Sequence, residues 1–175
     1  MPTPTYVALA KTVLTSTQAD ITFSAIPSTY TDLIVLVSAR ANFAAYQSSL
    51  FVTVNGSSAA NYSITRLWTN VATTSSSRNS NSTFLNVHPL NLNSTTSNTF
   101  SSHEIYFPNY AGSINKVLSA TGVGESNNAS SGHTNITATA GLRQVTDAIT
   151  SIKITSGDGS FMADSRFDLY GIKNS

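Results

Sequence analysis

The sequence predicts an all-β protein, a single-domain antiparallel β-sandwich of the jelly-roll type. About eleven short runs rich in β-branched and aromatic residues follow one another, separated by Gly, Asn, Ser or Pro clusters. Helical periodicity is almost absent. Many short strands without intervening helices are typical of sandwiches and barrels, and we expect the jelly roll for a chain of 175 residues.

The segment Ile21–Arg40 (ITFSAIPSTYTDLIVLVSAR) supports this prediction most directly. Its first half places apolar residues at every second position through Ala25, as on a strand with one wet face. After a turn that contains a proline, Leu33–Val37 is continuously apolar, as on a strand covered on both faces. A sheet that buries a strand on both faces belongs to a layered sandwich.

Turn chemistry separates the predicted strands in chain order. Asn55-Gly56 supplies the positive φ of a tight turn, and Ser156–Ser160 (SGDGS) is predicted to close a hairpin. Ala39–Tyr46 has the spacing of a short helical turn. The predicted strands are Tyr6–Leu14, Ile21–Ile26, Leu33–Arg40, Leu50–Val54, Tyr62–Trp68, Thr83–Val87, His103–Phe107, Lys116–Thr121, Thr134–Leu142, Ile149–Thr155 and Phe167–Ile172.

Two stretches lack the strand pattern. Thr69–Ser82 (TNVATTSSSRNSNS) and Asn91–Thr99 (NLNSTTSNT) consist almost wholly of small polar residues, and both are predicted as exposed loops. Met1–Thr5 (MPTPT) is predicted as a short extended arm, with residues 6–175 forming one β-sandwich domain. No repeat of fixed period indicates a solenoid.

The composition limits the functions that are open to the chain. Charged residues make up 10% of it, against roughly 25% in ordinary globular proteins. The net charge is +1 with scattered basic residues, so we predict no nucleic-acid binding. The chain has no cysteine, and we see no signal peptide and no apolar run long enough to span a membrane.

The histidines do not predict a metal site. His88, His103 and His133 lie in different predicted elements without ligand spacing, and solitary histidines are the expected outcome. The glycines of Gly122–Gly124 (TGVGE) lack a third glycine and a following helix, so they do not predict a phosphate-binding loop.

The carboxylates give no clear acid/base pair. Glu104 and Glu125 are the two candidates for a glycosidase pair, which requires carboxylates facing each other across a cleft. The chain also lacks a Gly-x-Ser-x-Gly nucleophile elbow. We predict no enzyme and no cofactor.

Three aromatic residues are candidates for contact with a glycan or a protein partner. Trp68 ends a predicted strand beside a polar loop, and Tyr106 and Tyr110 flank Pro108-Asn109 in EIYFPNYAG. Aromatic rings beside Asn and Ser can stack on sugars, although burial in the core is the commoner role of such residues.

Four segments in order carry a family resemblance: ITFSAIPSTYTDLIVLVSAR, FVTVNGSSAANYSITRL, EIYFPNYAG and SRFDLYGI. Together they resemble a family of tailed-bacteriophage proteins, especially from phages of cyanobacteria and other aquatic bacteria. The resemblance implies a structural or tail-fibre-like virion protein and carries over no functional residue.

The resemblance and the composition together lead to one expected function. We expect a non-enzymatic structural protein on the exterior of the phage particle, most specifically a capsid decoration (cement) protein that contacts the major capsid protein. This choice rests on the sandwich beginning almost at Met1, without a coiled-coil shaft. The alternative is a tail-fibre or other tail-appendage subunit that binds host surface glycans. A homo-oligomer, with a trimer favoured, and release by host lysis complete the expectation.

Overall fold

Two antiparallel sheets build the protein in the computed structural model, which describes residues 5–70, 73–127 and 135–173. Most of the predicted arm Met1–Thr5 therefore lies outside the described residues. All eleven predicted strands are present there, with shifted ends, together with one that was not predicted. The strands are β1 (Tyr6–Val13), β2 (Asp20–Phe23), β3 (Asp32–Ala39), β4 (Gln47–Val54), β5 (Tyr62–Asn70), β6 (Thr73–Ser82), β7 (Leu85–Asn91), β8 (Ser101–Phe107), β9 (Lys116–Gly124), β10 (Asn135–Arg143), β11 (Ile152–Ser156) and β12 (Arg166–Ile172).

The larger sheet has the order β1-β12-β3-β8-β9-β10-β5-β6, and the smaller sheet has the order β2-β11-β4-β7. The predicted antiparallel β-sandwich is therefore confirmed. In each sheet a late strand lies between two early ones, with β12 between β1 and β3 and β11 between β2 and β4. Beyond this interleaved set, the larger sheet continues through β8, β9, β10, β5 and β6.

The hydrophobic core lies between the two sheets. Strands β3 and β8 contribute Val35 and Ile105, and the smaller sheet contributes Val52 and Ile154, all fully buried. Because side chains alternate between the faces of a strand, filling this core leaves the opposite face of the larger sheet uncovered by the smaller one.

The segment Ile21–Arg40 divides between the two sheets. In β2, Ile21 and Phe23 are buried as the alternation predicted, whereas Ala25 is exposed and takes a left-handed φ of 53° in the turn. In β3, the prediction of coverage on both faces is wrong at Leu36, which is 38% exposed. Leu36 lies on the uncovered face of the larger sheet, and this face is described below.

The prediction of an exposed loop at Thr69–Ser82 is wrong, because most of this segment forms strands. Strand β6 pairs with β5 in antiparallel register, from Asn70 opposite Thr73 to Tyr62 opposite Ser82. Backbone hydrogen bonds to β5 hold this strand, and its small polar side chains suit an edge that is wet on both faces. Hydrophobic alternation cannot reveal such a strand, because it buries little.

Two smaller predictions are also wrong. Ala39–Tyr46 forms no helical turn, because Arg40 and Ala41 make isolated bridges to Asn91 and Phe161 instead. Ser156–Ser160 does not close a hairpin, because it joins β11 in the smaller sheet to β12 in the larger one.

Candidate functional site

The uncovered face of the larger sheet carries the most exposed apolar side chains within its strands. Strands β9 and β10 alternate strictly between buried and exposed residues, so every second side chain points away from the core. Ile136 is 58% exposed, Leu67 53%, Val117 51% and Val123 44%. We call this surface the outer patch and define it as Thr65, Leu67, Val117, Ser119, Thr121, Val123, Ile136, Ala138 and Ala140.

The strand register brings these residues into adjacent rows. Ile136 lies opposite Val123, and Ala138 lies between Thr121 on β9 and Leu67 on β5. The small side chains of Ala138 and Ala140 leave a shallow depression of about 370 Å³. The outer patch is thus a broad, uncharged surface with a groove along β10.

Two opposite charges lie on either side of the outer patch. Arg78 on β6 is in register with Thr65, and Glu104 on β8 is in register with Thr121. Both side chains are exposed. Since β6 and β8 are each two strands away from β10, the positive charge of Arg78 and the negative charge of Glu104 lie on opposite sides of β10.

Trp68 lies on the same side of β5 as the buried Tyr62 and Ile64, and therefore faces away from the outer patch. The Arg66 guanidinium lies 4.7 Å from the centre of the half-buried Trp68 ring and donates to Asn86 Oδ1 at 3.3 Å. Burial lowers the pKa of Arg66. Arg66 Nε and Thr137 Oγ1 are buried without a partner among the described residues. An aromatic ring beside amide, hydroxyl and guanidinium groups suits a polar ligand such as a sugar.

The two tyrosines of the prediction, Tyr106 and Tyr110, both make hydrogen bonds within the chain. The Tyr106 hydroxyl donates to Asp32 Oδ2 at 2.8 Å, and this hydrogen bond is the main reason that the pKa of Tyr106 is raised. Asp32 also accepts from the Asn109 backbone N–H at 2.8 Å. Tyr110 is fully buried and donates to the Pro27 carbonyl, so its ring has no surface for a ligand.

His103 is completely buried against the core side of β8. Its Nε2 lies 3.1 Å from Ser101 Oγ, and that hydroxyl donates its proton to the Ala39 carbonyl at 2.9 Å. His103 Nε2 is therefore the donor, and Nδ1 has no partner among the described residues. Burial first, and then nearby His88, lower the pKa of His103 to about 3.

The half-buried His88 belongs to the same polar part of the interior. Burial, followed by the positive charge of Arg66, lowers the pKa of His88 to about 4. A Cβ placed on Gly122 would lie 2.2 Å from the His88 carbonyl oxygen, so close backbone approach explains this glycine. The remaining histidine of the prediction, His133, lies outside the described residues.

The carboxylate candidates occupy different surroundings. Glu125 accepts the backbone N–H groups of Ser126 and Asn127 at 2.9 and 2.7 Å, as in a turn. Glu104 lies on the outer surface of β8. Within the residues that the structure describes, no group of three metal-ligating side chains comes together. That part of the chain also contains no helix able to cross a membrane.

No family model, no curated protein and no solved structure matches this chain.

The sequence prediction missed the outer patch, although a signal for it was present. In Lys116–Gly124, apolar residues occupy both phases of the alternation, with Val117 and Val123 in one phase and Leu118 and Ala120 in the other, as in a strand that is apolar on both faces. In Asn135–Arg143, the residues Ile136, Ala138, Ala140 and Leu142 share one phase, and this phase points away from the core. We predicted both strands from the sequence but assigned no face to either phase.

Proposed function

We propose that this chain is a non-enzymatic structural protein on the exterior of a tailed-phage particle, where it decorates the capsid and stabilises the head. The phage setting rests on the four sequence segments that resemble tailed-phage proteins. The mode of action, assembly with a protein partner through a side-chain surface, rests on the outer patch.

The proposal rests mainly on one observation: the outer patch is highly exposed and contains no charged residue. Ile136 and Leu67 are each more than half exposed to water. Contiguous apolar surface of this kind typically marks a protein interaction site, and charged residues are depleted at the centres of such sites. A surface without titratable groups offers packing to a partner rather than acid/base chemistry.

The backbone hydrogen bonds beneath the outer patch limit how a partner can bind there. Each of β9, β10 and β5 is hydrogen-bonded to a neighbour on both sides. No free strand edge is therefore available there for strand addition, and a partner binds by packing on side chains. A hydrogen-bonded sheet also loses little conformational freedom on binding, which suits a permanent assembly.

Immunogold labelling of phage particles from the lysate in which the chain is made tests this function. Gold over the head supports capsid decoration. Gold over the tail alone overturns decoration and favours the tail-appendage alternative. Particles that carry the chain nowhere overturn the virion assignment itself.

One observation favours the alternative function, a tail-appendage subunit that binds host glycans. Trp68 and Arg66 form a cation–π pair beside Asn86, and Arg66 Nε is a buried donor without a partner among the described residues. This set of groups can stack on one face of a sugar ring and donate to its hydroxyls.

If the alternative function is right, Trp68→Ala reduces glycan retention by about twofold to tenfold, because an aromatic contact contributes roughly 0.5 to 1.5 kcal/mol. The measurement is binding of the purified protein to a host-glycan array. Phe43→Ala serves as the control, because Phe43 is an aromatic residue that is 47% exposed elsewhere. Equal retention by both variants, or no retention by the unmodified protein, contradicts a glycan site at Trp68.

A further inference from the structure

We propose that the outer patch binds a second copy of this chain, face to face, around a two-fold axis that runs along β10. This inference rests on the assembly role proposed for the same patch and adds the partner and the geometry to it. Three properties of the surface lead to it: its size, its lack of charge at the centre, and the opposite charges at its two edges.

The size of the surface suits a dimer. Five neighbouring strands, from β8 to β6, form the face that carries the patch and its two flanking charges. With strands about 4.8 Å apart and about 3.4 Å per residue, a nine-residue strand gives a footprint of about 700 Å². Specific complexes bury about 800 Å² per partner. The footprint is therefore close to what a stable dimer requires.

The centre of the surface is compatible with its own copy. A two-fold interface places the same patch on both sides, so any charge on the axis would face an identical charge. Strand β10 presents Ile136, Ala138 and Ala140 there, and none of them is charged. Two such strands can pack across the roughly 10 Å that separates stacked sheets.

The charges at the edges of the surface determine the direction of the two-fold axis. An axis along β10 places β8 of one copy over β6 of the other, because these strands lie two positions from β10 on opposite sides. Glu104 then approaches Arg78 of the second copy, and the same pair forms again by symmetry. An axis across the strands would instead place Glu104 over Glu104 of the second copy, which is repulsive.

The offset along the strands agrees with this pairing. Glu104 is in register with Thr121 and so with Ala138, whereas Arg78 is in register with Thr65 and so with Ala140. The two charges therefore differ by two residues along the strand direction, about 7 Å. The long side chain of arginine spans that offset.

Analytical ultracentrifugation over a concentration series tests whether the patch forms the dimer. The unmodified chain is expected to sediment as a dimer. Ile136→Asp is expected to weaken association by at least about 100-fold, because each copy would bury an unpaired carboxylate. The control is Ile114→Asp, since Ile114 is 54% exposed outside the patch and Ile136 is 58% exposed within it. Ile114→Asp is expected to remain dimeric.

A charge exchange tests the axis. Glu104→Arg and Arg78→Glu are each expected to weaken the dimer by about tenfold, and the double variant is expected to restore it. Thermal unfolding of each variant checks that the monomer stays folded. We expect it to do so, because Glu104 and Arg78 are both exposed. A double variant as weak as the single ones overturns the axis along β10.

The other outcomes separate this inference from the proposed function. A monomer at all concentrations, a trimer, or a dimer that tolerates Ile136→Asp overturns the face-to-face dimer. A monomer that still binds undecorated capsids through the patch overturns the dimer but leaves the decoration role intact. A dimer that binds no phage particle supports the dimer and overturns the decoration role.

Discussion

Lowering the pH from 7 to 5 is expected to reduce the free energy of unfolding by on the order of 3 to 4 kcal/mol. His88 and His103 are the cause, because burial lowers their pKa values to about 4 and about 3. Both rings stay neutral in the folded protein across this range, whereas in the unfolded chain they take up protons below their ordinary pKa of 6.5. The unfolded state then binds more protons, so stability falls as the pH falls.

Urea unfolding at half-unit pH steps measures this effect. The loss begins near pH 6.5 and continues down to the folded-state pKa values of about 4 and 3. The range from pH 7 to 5 is the informative one, because most carboxylates stay ionised there. His88→Gln is expected to remove about half of the loss while leaving His103 in place. A stability profile that is flat between pH 7 and 5 would contradict the buried neutral state of both rings.

Arg40→Ala is expected to lower the free energy of unfolding by about 3 to 5 kcal/mol. Arg40 is 5% exposed, and its guanidinium donates to the carbonyl oxygens of Thr96 at 2.8 Å and Thr99 at 2.9 Å. It also donates to the carbonyl of Thr95 at 3.1 Å and to that of Asn93 at 3.3 Å. Removing the side chain leaves these acceptors without their donor, and each buried unpaired group costs about 1 to 3 kcal/mol.

Lys153→Ala is the matched control for the arginine variant. Lys153 makes an exposed ion pair with Asp20 at 2.9 Å, and such pairs contribute about 0 to 1 kcal/mol. Hydrogen exchange localises the defect, because amides of residues 93–99 should lose protection in Arg40→Ala only. A loss below about 1 kcal/mol in Arg40→Ala would mean that the loop holds its conformation without the guanidinium.

The parts of the fold that alternate in hydrophobicity were predictable from the sequence. Ile21 and Phe23 identify β2, because a strand with one buried face carries apolar residues at every second position. The apolar run Leu33–Val37 identifies an interior strand of the larger sheet. Strand β6 was not predictable in this way. Its small polar side chains give no hydrophobic pattern. The strand is stabilised by its pairing with β5, which belongs to the tertiary structure and cannot be read from the local sequence.

Two further features could not be predicted from the sequence because they depend on tertiary structure: the surroundings of Arg40 and the outer patch. Asn91–Thr99 was predicted as an exposed loop, and residues 92–99 do lie outside the strands. The loop nevertheless folds around a buried guanidinium supplied from 53 to 59 residues earlier in the chain. The outer patch depends on register across β9, β10 and β5, which a one-dimensional pattern does not specify.

Hydroxyl-radical footprinting tests the proposed assembly role of the outer patch most directly. It compares the isolated chain at high dilution with the same chain in the phage particle that we propose as its location. Leu67 and Ile136 are expected to be oxidised in the dilute chain and protected on the particle. Phe43 and Ile114, which are 47% and 54% exposed outside the patch, are expected to be oxidised equally in both states. Equal oxidation of Leu67 and Ile136 in the two states would contradict assembly through this face.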